Sequence, residues 1–451
     1  MAGFLAVPSA GAYWLTDARV PAVLVDGAPA GSTADREGLL HLDLRIEAGR
    51  VAALLPAGTA PAGAPHADLD GGQVWPGFVD IHTHIDKGHI WPRRENPDGT
   101  FLGARDAVMA DRRESWSAED VERRMDFSLR CAWAHGTRAL RTHIDSIPPQ
   151  HATSWPVLAR IRDAWAGRID IQATSLIHLP LFADADKAAE LADTVAAHGG
   201  VFGAVAYIED DAPALLDRVF ALAAERGLDI DFHVDEGLDL GARSLKMIAE
   251  AALRAKFKGT VLCGHCCSLS IQDDDFIEAT LDRVAEANLA VVSLPMCNMY
   301  LQDRVPGRTP RRRGVTLLHE MAARGIRVSV ASDNTRDPFY AYGDLDPLEV
   351  FREAARIAHL DRPFGDWPAV VARTPADVMG LAGTGRIAIG GLADLVLFRA
   401  RGWTELLSRP QTDRVVLRAG RAQEATPPDY RELDDLFGEE EAARAADRRS
   451  A

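Results

Sequence analysis

Eight apolar segments of five to nine residues recur between Val74 and Ser332, with Ala-rich stretches between them, and this alternation limits the chain to few architectures. The segments are Val74–His82, Arg138–Ile144, Ile169–Thr174, Val201–Ala206, Asp229–Val234, Thr260–Gly264, Ala290–Leu294 and Arg327–Ser332. Short, nearly continuous apolar runs read as strands buried on both faces. The intervening stretches, among them Ala118–Ala134, Ala185–Ala197, Ala212–Arg226 and Leu240–Ala255, carry a helical pattern, and a further helix is expected near Pro347–Ile357. Eight β/α units in about 300 residues predict a closed parallel barrel. A doubly wound open sheet is the competing arrangement, but it more often shows a Gly-rich phosphate turn after its first strand, and none is present here.

The texture differs at the two ends. Ala18–Val25, Leu39–Ile46 and Arg50–Leu55 read as short strands ahead of the barrel, and Ala393–Phe398 and Arg414–Arg418 as short strands after it. The predicted fold class is therefore α/β: a (β/α)8 TIM barrel over residues 76–383, with a small β-sandwich domain built from both chain ends, residues 1–75 and 384–451. The tail Pro428–Ala451 is charged and is expected to form a surface helix.

Composition narrows the function. With 66 Asp plus Glu against 50 Lys plus Arg, the net charge is −16, which argues against nucleic acid or an anionic membrane as the main partner. No apolar run approaches the roughly 20 residues of a membrane span. Residues Met1 to Leu15 have no Lys or Arg ahead of their apolar residues, so they lack the basic start of a secretory signal. The 5 cysteines are odd in number and include the adjacent Cys266 and Cys267, which suits a reducing, cytoplasmic compartment. Cys263-x-x-Cys266 has no second CxxC to complete a zinc ribbon, so these thiols are read as buried groups.

Function in a barrel of this kind sits at the C-terminal ends of the strands. The first strand ends in His82-Thr83-His84, where alternation points both imidazoles the same way. The fifth ends at His233, the sixth at His265 and the eighth at Asp333. Four histidines and an aspartate at matching strand ends form a metal-site pattern suited to Zn or Fe, whose bound water ionises near neutral pH. Asp333 can ligate and accept the water proton, and Glu236, three residues past His233, can carry a proton to a ring nitrogen or leaving group. Of the 14 histidines, His41, His66, His151, His198, His319 and His359 are read as ordinary core or surface residues.

Pro76-Gly77-Phe78-Val79-Asp80-Ile81-His82-Thr83-His84, the late Ser332-Asp333-Asn334, the closing Gly390-Gly391-Leu392-Ala393-Asp394 and the split β domain resemble the amidohydrolase superfamily over nearly the whole chain. Asp231-Phe232-His233-Val234-Asp235-Glu236, Asn298-Met299-Tyr300-Leu301-Gln302-Asp303-Arg304 and Asp333-Asn334-Thr335-Arg336-Asp337 look like its bacterial cytosine deaminase group. The resemblance implies one divalent ion, Zn or Fe, held by His82, His84, His233 and Asp333, with His265 bonding the attacking oxygen and Glu236 protonating the ring. It also implies a cytosine-like heterocycle as substrate, release of ammonia and a homo-oligomer. His178 aligns with the glutamine that reads the ring edge in that group, Asn334 with a second aspartate, and Phe101 and Phe339 with residues that sandwich the ring. His84-Ile85-Asp86-Lys87 is closer to the N-isopropylammelide amidohydrolases, so release of an alkylamine from a triazine, or opening of a cyclic amide, is the alternative reaction.

Overall fold

The computed structural model describes residues 4–207, 211–424 and 426–437. Eight parallel strands occupy the places of the eight apolar segments: β1 Phe78–Thr83, β2 Thr137–Asp145, β3 Asp170–Leu176, β4 Phe202–Ala206, β5 Ile230–Val234, β6 Val261–His265, β7 Ala290–Ser293 and β8 Arg327–Val330. The first three form one sheet and the remaining five another. Parallel bridges Thr174↔Val201 and His178↔Val205 join β3 to β4, and Thr83↔Asp333 joins the end of β1 to the segment after β8, so the strands follow one another around a ring. Every residue of β1, β4, β5, β6 and β7 is buried, which is why these strands lack polar alternation.

The helices return the chain between strands. Ala212–Arg226 buries Leu215, Leu216, Val219, Phe220 and Ala223 at helical spacing and stops at Gly227, whose φ of 64° is left-handed. Ala185–Ala197 begins where the Asp184 carboxylate accepts the Lys187 N–H. Both helices, and Pro347–Ile357, have the bounds expected from the sequence. Leu240–Ala255 begins later, at Ser244, since Leu240 and its neighbours are exposed.

The chain divides into two compact units. One comprises residues 1–80, 130–139 and 346–427, the other 81–129, 140–345 and 428–451. In the first, strands from both chain ends share one 8-stranded sheet, beside a 2-stranded parallel sheet of Val25–Asp26 and Ile387–Ala388. A sandwich expects two sheets of comparable size. Here Ala12–Pro21 pairs antiparallel with Leu39–Glu47 and parallel with Gln73–Pro76, which in turn pairs with Leu395–Phe398. The ladder is therefore unbroken between the strands of the two ends, around a core that includes Leu15, Leu42, Leu44, Leu395 and Leu417. The expected strand Val74–His82 is split at Gly77. Pro76 has no N–H for a ladder, and the Gly77 N–H donates to the Asp394 carbonyl at 2.8 Å. A β-carbon on Gly77 would lie 2.9 Å from that of Arg138. At the C-terminus, Tyr430–Leu436 forms a 3-10 helix with a capping box from Asp429 and Glu432, and the rest of the expected tail helix lies outside the described residues.

At Gly203, on β4, the barrel wall has no room for a side chain. The Gly203 N–H donates to Ser175 Oγ at 2.9 Å, and that hydroxyl donates to the Gly203 carbonyl at 3.1 Å, zipping β3 to β4. A β-carbon there would collide with the Ser175 carbonyl and the Thr174 methyl and lie 2.9 Å from the Asp231 carbonyl. Gly203→Ala is expected to destabilise the fold by about 1–3 kcal/mol, the usual cost of overpacking. The check is a lowered denaturant midpoint with unchanged slope.

Candidate active site

The strand ends of the second unit bring four side chains to one point. Asp333 Oδ1 lies 3.5 Å from His82 Nε2 and 3.2 Å from His84 Nε2, while His233 Nε2 lies 3.3 Å from His84 Nε2. All four residues are buried. Ligands about 2.1 Å from a four-coordinate ion stand roughly 3.4 Å apart, close to these three spacings. Burial first, and the neighbouring imidazoles and cations second, push His82, His84 and His233 well below the ordinary histidine range. The rings are therefore neutral and offer lone pairs, as a metal requires. His82 Nε2 makes no hydrogen bond among the described residues, although it is fully enclosed. Neutral imidazoles converging with a carboxylate fit a divalent ion such as Zn or Fe.

Backbone geometry turns these groups inward. Asp235, His265, Cys266 and Asp333 adopt φ values of 45°, 70°, 54° and 63°, a left-handed conformation that costs non-glycine residues about 1–3 kcal/mol each. The Asp333 N–H donates to the His82 carbonyl at 2.9 Å, so strand closure and ligand placement are one contact.

His265 stands beside this cluster, and it, His82 and Asp333 can present atoms within 4.8 Å of one another. Asn298 Nδ2 lies 2.9 Å from His265 Nδ1. An amide nitrogen only donates, so Nδ1 accepts and the ring proton sits on Nε2, which makes no hydrogen bond among the described residues. Burial holds His265 down at about 3, so it remains a neutral donor. Glu236 Oε1 is 3.7 Å from His265 Nδ1, and Gln302 Nε2 donates to the Glu236 carbonyl. Burial, reinforced by the Asp333 carboxylate, pushes the Glu236 carboxyl well above its ordinary range, which favours its acid form.

A cleft enclosing about 680 Å³ of empty space, open solvent included, joins these groups to the surface. His84, His233, Glu236, His265 and Asp333 form its floor, while Val108, Met109, Ile147, Leu176 and Val205 are among the apolar residues of its walls. The expected binding residues His178, Asn334, Phe101 and Phe339 all reach it. His178 sits exposed at its edge, with desolvation lowering its pKa against an opposing pull from Asp145. Asn334 is occupied: its Nδ2 donates to Asp337 at 2.7 Å. Phe101 and Phe339 meet edge to face at 67°, with centroids 5.5 Å apart. A ring held between two stacked faces needs about 7 Å, twice a contact distance, so in this geometry the two phenyls make one shared wall.

A family profile described as "Amidohydrolase family" matches residues 172–422, more than half of the chain. The chain is 55% identical over 435 residues to a pterin deaminase of Rhizobium rhizogenes, covering 96% of this chain and 99% of that one. The chain belongs to the amidohydrolase family.

More distant likenesses bear on the fold. A 5-methylcytosine deaminase of Klebsiella pneumoniae, liganded with 5-fluorocytosine, superposes with a TM-score of 0.75 at 23% identity, over 91% of this chain and 96% of that one. An N-isopropylammelide isopropylaminohydrolase of Burkholderia multivorans gives 0.71 at 24%, over 92% and 98%. This amidohydrolase also carries site residues to which the sequence assigned no role. His143, at the end of β2, lies 3.1 Å through Nε2 from His82 Nδ1 and so fixes that ring. Asn298 sets the His265 tautomer, and its only trace in the sequence is the Asn298–Arg304 string. Helix Phe101–Ser115 presents Phe101, Arg105, Val108, Met109 and Arg112 to the cleft at helical spacing.

The purified protein is expected to hold about one divalent ion per chain, and His84→Ala to lose it. His143→Leu removes the partner that orients His82 and should weaken metal affinity about 10–100-fold. Elemental analysis after graded chelation measures both. An ion retained by His84→Ala would contradict this ligand set.

Proposed function

We propose that this amidohydrolase is a metal-dependent hydrolytic deaminase of a pterin-type ring, converting its cyclic amino-amidine carbon to a carbonyl and releasing ammonia. The observation that carries the reading is the 55% identity to a pterin deaminase over 96% of this chain, joined to a cleft in which a proton donor and a metal-type cluster face one space. A pterin contains an amino-oxo pyrimidine fused to a second ring. The cytosine-like heterocycle expected from the sequence thus corresponds to its inner half, and the apolar walls of the cleft suit the added ring. We assign the chemistry to residues 76–383.

His82, His84, His233 and Asp333 would hold the ion, which supplies a nucleophile from water at neutral pH when bound. The protein's own groups handle the protons. Asp333 accepts one from the attacking water, and His265 donates its Nε2–H to the oxygen as it adds. Glu236 delivers its proton to the ring nitrogen that receives the electron pair of the broken C=N bond. When the C–N bond to the exocyclic amine breaks, that amine leaves with the proton taken from water, and the new hydroxyl returns a proton to Glu236 as the carbonyl forms.

A second reading, alkylamine release from a substituted triazine, is favoured by 25% identity over 341 residues to an N-isopropylammelide isopropyl amidohydrolase of a Pseudomonas species. Ammonia and alkylamine release across pterins, cytosine and alkylated triazines separates the two. Ammonia from pterin, with cytosine a poor substrate, is the expected result, and alkylamine release without pterin turnover would reverse the order.

Glu236→Gln is expected to keep the ion and lower turnover about 10²–10⁴-fold. Because the acid form of a carboxyl held above its usual range is required, the parental rate should fall as pH rises past that raised pKa. The residual rate of the Gln variant should lack that falling limb in a kcat–pH profile.

A further inference from the structure

Lys87 is a cation for which neither the metal-type cluster nor the proton relay has a use. It follows His84 in a tight turn, its own N–H and that of Gly88 donating to the His84 carbonyl at 3.3 and 3.0 Å. The residue is only 4% exposed, and it lines the cleft beside His84, His233 and Glu236. Its Nζ lies 5.5 Å from the centroid of Phe339. Two other cations line the same cleft, and each has a carboxylate: Arg105 pairs with Asp106 at 2.9 Å and Arg112 with Asp145 at 3.3 Å. Among the described residues, no ion pair or hydrogen bond engages the Lys87 ammonium. The Asp86, Glu236 and Asp337 carboxylates act on this ammonium only at longer range, so its donors remain open for a ligand.

We propose that Lys87 is the residue that reads the ring oxygen. Its ammonium donates to the carbonyl oxygen of the amino-oxo ring and stabilises the negative charge that spreads onto that oxygen when the C=N electron pair moves to the ring nitrogen. Lys87 keeps its own protons throughout, and Glu236 still supplies the one the nitrogen takes. An ammonium has three donors and no acceptor, so a ring bearing an amine in place of that oxygen meets it donor against donor. The site would thus select amino-oxo rings over diamino rings. This inference rests on the pterin deaminase reading for its choice of ring.

The test uses the metal-loaded enzyme and its Lys87→Met and Lys87→Arg variants. Ammonia release is measured from pterin and from 2,4-diaminopteridine, and equilibrium binding of the dioxo product ring is followed by its fluorescence, which needs no turnover. Lys87→Met should retain the ion and an unfolding midpoint no lower than the parent's. Its kcat/KM for pterin should fall about 10²–10³-fold, as when one oxyanion donor is lost. The diamino ring should lose less than about tenfold, and the dioxo ring should bind at least about tenfold more weakly. Lys87→Arg, which keeps the charge, should preserve a preference for the oxo ring. Equal losses on both rings with unchanged dioxo binding would overturn the proposal in favour of a field effect on the histidines, as would no change on either ring. If Lys87→Met misfolds or loses its ion, the Arg variant decides: loss of its oxo preference overturns the proposal. If the parent binds the dioxo ring through Lys87 but deaminates no pterin, the deaminase reading fails and oxygen recognition stands. If it neither binds nor reacts, both fall.

Discussion

One backbone hydrogen bond, from the Asp333 N–H to the His82 carbonyl at 2.9 Å, holds the site together. It joins the segment after β8 to the end of β1, and so completes the ring of strands at the point where the ligands lie. A carboxylate from the far end of the barrel sequence is thereby set within 3.5 Å of two imidazoles from its beginning. The left-handed φ of 63° at Asp333 is the local cost of that placement. It persists because the surrounding parallel pairing leaves the chain no other course.

The second constraint is electrostatic. The interior beside the site contains buried charges, including Arg141 paired with Asp231 at 2.9 Å, and burial pushes that aspartate up to about 6 against the pull of the guanidinium. Among these groups the same loss of water favours the neutral form of the histidines and the acid form of Glu236. Desolvation therefore acts in opposite chemical senses on two kinds of side chain, producing bases that can ligate beside an acid that can donate.

Much of this was legible in the sequence, because it depends on strand ends. Apolar runs locate the strands, and the residue after an apolar run is the residue that faces the mouth, so His82, His84, His233, His265, Asp333 and Glu236 could be picked out along the chain. Residues that act through a second side chain left a weaker mark: His143 stands at a strand end as the ligands do, but nothing along the chain tells orienting from ligating. His143 and Asn298 matter because of a ring nitrogen about 3 Å away, a three-dimensional fact without a sequence period. The break at Gly77 was hidden because the apolar run continues across it, and only the close approach of Arg138 reveals that two sheets meet there. That strands of both chain ends join in one ladder was not legible, since strand counts do not say which edges pair.

The helix Phe101–Ser115 was missed because the face it turns to the cleft is part aromatic and part arginine, unlike a core-facing stripe. Its anchor lies elsewhere: the Arg93 guanidinium clamps Asp111 with two contacts at 2.9 Å and also reaches Asp120 of the helix Ala118–His135. The surface that meets one side of a ligand is thus carried by a part that contributes nothing to the histidine cluster. Changes at 105, 109 or 112 can accumulate on that face while the strand-end groups stay fixed, so descendants of one ancestral barrel could come to prefer different rings without ever passing through an inactive form.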